Sequence, residues 1–316
     1  MASDKTILRI RDLVVSFNTE SGKIRAVDGV DFELEKGQTL GIVGESGCGK
    51  SVTAMSILRL LPRPSGKIES GVVEYRGRNI LSVPVEEMHS IRGKKISMIF
   101  QEPMTALNPV HKIGKQIKEV YQLHFPEMTK NEMKASSIHA LDRVGIADAG
   151  KILGKYPHML SGGMRQRVMI AMALAPEPDI LIADEPTTAL DVTVQAQILD
   201  LIKDIRQKLS MSVILITHDL GVIAENCDYA VVMYAGKIIE KAPVKKLFGH
   251  PYHPYTLGLL NSVPSLFRKR KTILPTIKGM VPSLDNMPDG CRFSTRCPLV
   301  KDICRKEVPC EKRMEY

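Results

Sequence analysis

The sequence contains no tryptophan and no long hydrophobic stretch. Its longest apolar run, residues 168–176, is nine residues long, whereas a membrane-spanning helix needs about 18–20. The first residues also lack the apolar segment of a secretory signal peptide. We therefore expect a cytosolic chain that reaches a membrane only through a partner.

The composition is that of a folded globular protein. Glycine and proline number 23 and 19 in 316 residues, too few for a collagen-like chain, and an apolar content of 44% excludes extensive disorder. The net charge is +9, and residues 264–316 carry 12 basic and 6 acidic side chains. This excess of basic side chains could bind nucleic acid, anionic lipid or an acidic protein surface, or it could form an ordinary solvated surface.

A glycine-rich loop follows the apolar run of residues 40–43 and precedes a helical pattern. It matches G-x-x-x-x-G-K-[ST] and, with the next residue, comprises Gly44, Glu45, Ser46, Gly47, Cys48, Gly49, Lys50, Ser51 and Val52. Backbone N–H groups and the helix N-terminus of such a loop bind phosphate oxygens. Lys50 would bridge the β- and γ-phosphates of ATP, and the Ser51 hydroxyl would bind Mg²⁺. The alternative is a tight turn with an exposed lysine, and Cys48 is expected to fill space.

Two carboxylates, Asp184 and Glu185, end a second apolar strand at residues 179–184. At the carboxyl end of a strand, Asp184 can bind Mg²⁺ and Glu185 can polarise a water for in-line attack on the γ-phosphate. A helical stretch and a third apolar strand, residues 212–219, follow. This order predicts a parallel βαβ unit.

Several further motifs occur in an order typical of one family. Residues 160–166 read LSGGMRQ, which resembles the signature motif of ATP-binding cassette (ABC) ATPases and contributes Ser161, Gly162 and Gly163. Other positions match the adenine-stacking aromatic (Phe17), the Q-loop glutamine (Gln101), the D-loop (Ala189-Leu190-Asp191) and the switch histidine (His218). Taken singly, Gln101 could be a capping amide, His218 an ordinary loop histidine and Phe17 a core residue. Phe17 and Met164 stand where tyrosine and glutamine are commoner.

The resemblance implies an α/β fold, the P-loop NTPase cassette. It has a RecA-like parallel sheet core, an antiparallel β subdomain, a helical subdomain and here a small cysteine-rich C-terminal segment. The expected division is residues 1–103 (core and β subdomain), 104–165 (helical subdomain), 166–250 (second part of the core) and 251–316 (C-terminal segment). The resemblance also implies that Glu185, His218 and Gln101 take part in catalysis and that Gln101 also binds Mg²⁺.

The family resemblance further implies that two cassettes pair head to tail. The signature residues would then bind the ATP of the partner, and Asp191 would lie at the dimer interface. A second cassette, expected to be a different chain in a heterodimer, is therefore required. ATP binding would close the pair, and hydrolysis with product release would open it.

The C-terminal residues narrow the class. The run HPYHPYT at residues 250–256, expected to pack rather than catalyse, and the segment beyond it resemble ATP-binding subunits of dipeptide/oligopeptide/nickel importers. That class implies two transmembrane permeases, an extracytoplasmic solute-binding protein and a place on the cytoplasmic face of the membrane. Peptide is the expected solute, with nickel or another small solute as the alternative. A nucleic-acid role is disfavoured, because residues 51–161 contain no coiled-coil insertion and the chain carries one cassette.

Four of the six cysteines fall within twenty residues: Cys291, Cys297, Cys304 and Cys310. Two disulfides, a zinc site or an iron–sulfur cluster are the options. A cytosolic setting disfavours disulfides, and zinc sites usually show closer cysteine pairs. The importer resemblance implies a [4Fe–4S] cluster, with zinc as the second alternative and unliganded thiols as the third. Basic residues such as Arg292 and Arg296 would offset the charge of a cluster.

Overall fold

The computed structural model describes residues 5–20, 22–101, 106–188, 190–263 and 275–312. The strands are β1 Thr6–Thr19, β2 Gly22–Glu35, β3 Thr39–Val43, β4 Gly66–Tyr75, β5 Arg78–Asn79, β6 Ile96–Ile99, β7 Ile180–Asp184, β8 Ser212–Thr217, β9 Tyr229–Tyr234 and β10 Lys237–Pro243. The helices are α1 Lys50–Ile57, α2 Val85–Ile91, α3 Ile113–His124, α4 Lys130–Arg143, α5 Ala149–Ile152, α6 Gly162–Leu174, α7 Val192–Leu209, α8 Leu220–Asn226, α9 Val244–Gly249, α10 Pro254–Asn261 and α11 Asp302–Lys306. Within the described ranges, no helix is both long and apolar enough to cross a bilayer.

The chain forms two compact units. The first comprises Met1–Leu34, Thr39–Leu81 and Thr217–Tyr316, and the second comprises Glu35–Gln38 and Ser82–Ile216. The first unit contains a four-stranded sheet in the order β2-β1-β4-β5, with β1 and β4 antiparallel. In that register Phe17 lies opposite Gly66.

A second group of strands in the first unit carries the glycine-rich loop. β3 is buried at all five positions and runs parallel to β9, which pairs antiparallel with β10. The apolar core of this unit joins Val43 of β3, Val232 and Tyr234 of β9, and two residues of the C-terminal segment, Tyr255 and Phe293. The C-terminal segment is therefore packed into the same core as the strand that precedes the loop.

In the second unit, β8, β7 and β6 are successive neighbours and all run parallel. α7 connects β7 to β8, so the predicted parallel βαβ unit is confirmed. The helices α3, α4 and α6 contact one another. α4 begins at a capping box, in which Thr129 and Glu132 satisfy each other's backbone N–H groups.

Candidate nucleotide site

The glycine-rich loop turns from β3 into α1 through glycines that a side chain could not replace. A Cβ atom at Gly44 would lie 2.2 Å from the carbonyl oxygen of Met233. At Gly49, where φ is 103°, it would lie 2.6 Å from the carbonyl oxygen of Ala26. Gly49 offers no side-chain cap to α1, so the helix begins as phosphate-binding helices do, with its N-terminal dipole towards the loop.

Lys50 is only 5% exposed and folds back across the loop. Its Nζ donates to the carbonyl oxygens of Gly44 and Glu45, at 2.8 and 3.1 Å, and lies 3.8 Å from Sγ of Cys48. These contacts hold the ammonium group within the turn. Cys48 is fully buried, and burial raises the pKa of its thiol, which suits the expected space-filling role better than a nucleophile.

The other predicted residues of the first unit differ in exposure. Ser46 and Gly47 are exposed at the tip of the loop, and Ser51 and Val52 are half-buried in the first turn of α1. Phe17 is half-buried on β1. His218 is exposed immediately after β8 and before Asp219, whose side chain caps α8. Their places are compatible with a ligand reached from solvent.

In the second unit, three predicted residues lie at the carboxyl ends of neighbouring strands. Asp184, the last residue of β7, is 3% exposed. Glu185 adopts a left-handed backbone (φ 45°) and donates its N–H to the carbonyl oxygen of Ile216 at 3.0 Å. Its Oε2 accepts from Nε2 of Gln101 at 3.3 Å and from the hydroxyl of Thr188 at 3.0 Å. The structure thus brings Gln101 and Glu185 together.

The signature residues begin a helix. Ser161 is the N-cap of α6, and its hydroxyl accepts from the N–H of Met164 at 3.3 Å. Gly162 and Gly163 form the first turn, and a Cβ at Gly163 would lie 3.1 Å from Cγ1 of Val194. Asp191 caps α7 in the same way, accepting from the N–H of Val194 at 2.9 Å. Ala189 lies outside the described residues.

Two residues of the C-terminal segment contact the glycine-rich loop, and sequence reasoning missed both. The hydroxyl of Tyr255 accepts from the N–H of Glu45 at 3.0 Å. Arg296 forms a two-pronged ion pair with the Glu45 carboxylate, at 2.6 and 3.0 Å. Tyr255 is fully buried, with its ring 4.7 Å from that of Tyr234 and 5.4 Å from that of Phe293. This is the packing role expected for HPYHPYT, with a contact to the loop in addition.

The prediction of an iron–sulfur cluster, and of zinc as its substitute, is wrong. Across the part of the chain that the structure describes, no three His, Cys, Asp or Glu side chains are placed to hold a metal ion. The four cysteines of the C-terminal segment, Cys291, Cys297, Cys304 and Cys310, carry free thiols. Cys310 is exposed, whereas Cys291, Cys297 and Cys304 are half-buried. Arg292 and Arg296, expected to balance the charge of a cluster, pair instead with Asp28 and Glu45.

Comparison with known families decides the identity. The profile described as ABC transporter matches residues 27–188, from before the glycine-rich loop to the residues after Glu185. The chain belongs to the ABC transporter family. The ATP-binding proteins of this family hydrolyse ATP to drive transport. A second profile, described as the C-terminal region of oligopeptide/dipeptide transporters, matches residues 239–304 of this ABC transporter chain.

Curated relatives of this ABC transporter chain align over nearly its whole length. A probable peptide ABC transporter ATP-binding protein of Sinorhizobium fredii is 52% identical over 96% of this chain and 90% of its own. The dipeptide transport ATP-binding protein DppD of Bacillus subtilis is also 52% identical, with the same coverage. The oligopeptide transport ATP-binding protein AppD of Bacillus subtilis is 50% identical over 96% of this chain and 92% of its own.

Solved structures share the cassette fold. A bacterial ABC transporter cassette determined as a dimer matches with a TM-score of 0.67 and 25% identity, over 75% of this chain and 98% of its own. CbiO1 of Clostridium perfringens, part of an ABC transporter complex, matches with a TM-score of 0.66 and 26% identity, over 78% and 92%. The chain therefore has the ABC ATPase cassette fold with a mixed sheet.

Proposed function

We propose that this chain is the ATP-hydrolysing subunit of an importer for dipeptides or oligopeptides. The observation that carries the proposal is the match of residues 239–304 to the C-terminal region of oligopeptide/dipeptide transporters. Relatives at about half identity are described as peptide, dipeptide and oligopeptide transport ATP-binding proteins. The C-terminal region adds a peptide-transport likeness to a cassette that alone would indicate only ATP-driven transport.

The glycine-rich loop is proposed to bind the phosphates of ATP. Backbone N–H groups of residues 44–52 and the N-terminal turn of α1 would donate to phosphate oxygens, with Lys50 turning from its carbonyl partners to the β- and γ-phosphates. Phe17 would stack on adenine, for which any aromatic face suffices. The inward fold of Lys50 supports this role, because the ammonium group already lies within the turn.

Hydrolysis is proposed to use Glu185 as general base. Its carboxylate would accept a proton from the water whose oxygen attacks the γ-phosphorus, and ADP would be the leaving group. Gln101 holds that carboxylate by a hydrogen bond, and His218 would stabilise the γ-phosphate. Ser51, Asp184 and Gln101 are the residues proposed to hold Mg²⁺, because a hydroxyl, a carboxylate and an amide oxygen are ligands that suit this ion. When bound, Mg²⁺ would neutralise charge on the phosphates.

A second cassette is proposed to complete each site. Ser161, Gly162 and Gly163, which start α6, would donate to the ATP bound by the partner, and Asp191 would lie at the interface. We propose a heterodimer at the cytoplasmic face of the membrane, working with two permeases and an extracytoplasmic binding protein. Within it, residues 104–165 would act as the helical subdomain between the two core parts, residues 1–103 and 166–250, and residues 251–316 as the importer-class segment.

The test is reconstitution. The chain, the cassette and permeases encoded beside it, and the binding protein are placed in proteoliposomes with ATP and radiolabelled dipeptide, oligopeptide or nickel. Uptake of a peptide that stops in a Lys50→Ala complex supports the proposal. ATP hydrolysis stimulated by nickel-loaded binding protein, with no peptide uptake, would replace the peptide assignment by the nickel alternative.

A further inference from the structure

The ion pair between Arg296 and Glu45 lies inside the loop that is proposed to bind an anion. Glu45 is the second residue of the loop, directly after Gly44. A carboxylate at this place would repel a triphosphate and attract the nearest ammonium group. In the structure that carboxylate forms an ion pair with Arg296, which belongs to the C-terminal segment.

Arg296 is buried, and several contacts fix its guanidinium group. Its side chain is 3% exposed, and both of its terminal nitrogens reach the carboxylate of Glu45. Its other donors meet backbone carbonyl oxygens of Ile277 and Lys278, at 3.3 and 3.1 Å. The planar guanidinium thus has fixed geometry, which a bidentate carboxylate partner requires, and the pair raises the pKa of Arg296 further above its usual range.

Tyr255 holds the backbone of Glu45. Its hydroxyl accepts from the N–H of Glu45, and burial raises its pKa, so the phenol stays neutral. Tyr234 links the two, with its hydroxyl 3.5 Å from Nη1 of Arg296 and its ring 4.7 Å from that of Tyr255. The side chain and the backbone of Glu45 are therefore both held by the C-terminal part of the chain.

The consequence concerns Lys50. Its Nζ lies 3.1 Å from the backbone carbonyl oxygen of Glu45, whereas the side-chain carboxylate of Glu45 pairs with Arg296. If Arg296 were absent, this carboxylate would lose its cation, while the ammonium group of Lys50 lies at the backbone of the same residue. Pairing of Glu45 with Lys50 would compete with the phosphates for the ammonium group.

We propose that Arg296 and Tyr255 are positioning residues of the nucleotide site, which act through Glu45 and keep Lys50 available for ATP. The C-terminal segment then completes the nucleotide site electrostatically, in addition to any role in the importer. This inference rests on the proposed role of the loop in ATP binding.

The experiment is a double-mutant cycle, with the Kd for Mg-ATP measured on the full chain and kcat and KM measured separately on the paired cassettes. Arg296→Met should raise Kd and KM about tenfold with kcat nearly unchanged, because a carboxylate set free weakens binding of an anion. Arg296→Lys keeps the charge but loses the two-pronged geometry, so its affinity should lie between those of Arg296→Met and wild type. Arg305→Met, an exposed residue of the same segment, is the matched control and should leave Kd unchanged.

The deciding comparison is Glu45→Gln against Glu45→Gln with Arg296→Met. If Arg296 acts by neutralising Glu45, the two should bind ATP within about twofold of each other. An affinity loss that persists in the double variant, or an Arg296→Met variant that binds like wild type, overturns the inference, and the comparison holds even if Arg296→Met alone fails to fold. A Lys50→Ala variant that binds ATP as tightly as wild type would instead overturn the proposed role of the loop in nucleotide binding.

Discussion

Nε2 of Gln101 donates to Oε2 of Glu185 at 3.3 Å, joining the ends of two neighbouring segments of the second unit. Glu185 itself stands in a left-handed conformation after β7 (φ 45°), which is uncommon for a residue with a side chain and occurs at functional sites. The same oxygen also accepts from the hydroxyl of Thr188. The carboxylate is therefore held in one orientation before any nucleotide arrives.

Glu185→Gln should abolish hydrolysis while leaving ATP bound. An amide keeps the shape and can still hydrogen-bond Gln101, but it cannot accept the proton of the attacking water. We expect kcat to fall by about 100-fold or more, with Kd for Mg-ATP nearly unchanged. Single-turnover hydrolysis and equilibrium binding, measured on the paired cassettes, provide the check. Hydrolysis at the wild-type rate would show that another group is the base.

Lys50→Ala should weaken binding rather than the chemical step alone. The side chain is buried in the turn and is the loop's own cation, so we expect Kd for Mg-ATP to rise by about tenfold or more. Lys67→Ala, on the exposed side of β4, removes the same charge from the same unit and should leave binding unchanged. Equal losses in both variants would point to net charge rather than to the loop.

Ser161→Ala should reduce both stability and ATPase activity. Loss of the hydroxyl that caps α6 costs about 1 kcal/mol of folding free energy. Thr129→Ala removes the cap of α4 and should cost a similar amount without touching ATP hydrolysis. Urea unfolding measures the first quantity and the ATPase rate of the paired cassettes the second. If both variants lost activity equally, stability alone would explain the effect of Ser161.

His253 should make stability depend on pH. Burial lowers its pKa below the ordinary 6.5, against the opposing influence of Glu240, and its Nδ1 accepts from the N–H of Tyr255 at 3.1 Å. The unfolded chain therefore takes up a proton more readily than the folded chain. Stability should be complete above pH 6.5 and fall as the pH drops from there through the folded pKa.

His253→Asn keeps a cap acceptor for α10 and removes the titration. Its urea midpoint, followed between neutral and mildly acidic pH, should decline less steeply than that of wild type. Parallel curves for the two proteins would place the acid sensitivity elsewhere.

The sequence predicted those parts of the fold that rest on local patterns. β3, β7 and β8 are short apolar runs next to glycines or carboxylates, and the sequence predicts each of them as a strand. The sequence does not predict β2, because its Asp28, Gly29 and Asp31 are residues that strands usually avoid. α2 has seven residues, too few to show a helical period. α1 ends at Ile57, and Arg59 just beyond it adopts a left-handed backbone (φ 54°).

The same division holds for the site. The motifs around Lys50, Glu185 and Ser161 are linear, so the roles proposed for these residues rest on adjacent positions in the sequence. The contacts of Glu45 could not, because Tyr255 and Arg296 are 210 and 251 positions away and no local pattern links them. For the cysteines the local pattern predicted too much. Four cysteines close together in the sequence predicted a metal site, but among the described residues their thiols do not form one.

Cys48 sits fully buried under the loop, with its Sγ beside the ammonium group of Lys50. A protonated, shielded thiol does not react with alkylating reagents until it is exposed. The nucleotide loop therefore contains its own chemical probe. The rate of alkylation at Cys48, followed by mass spectrometry of the peptide that contains it, measures how often this loop opens, and a bound nucleotide that holds the loop closed would slow that rate.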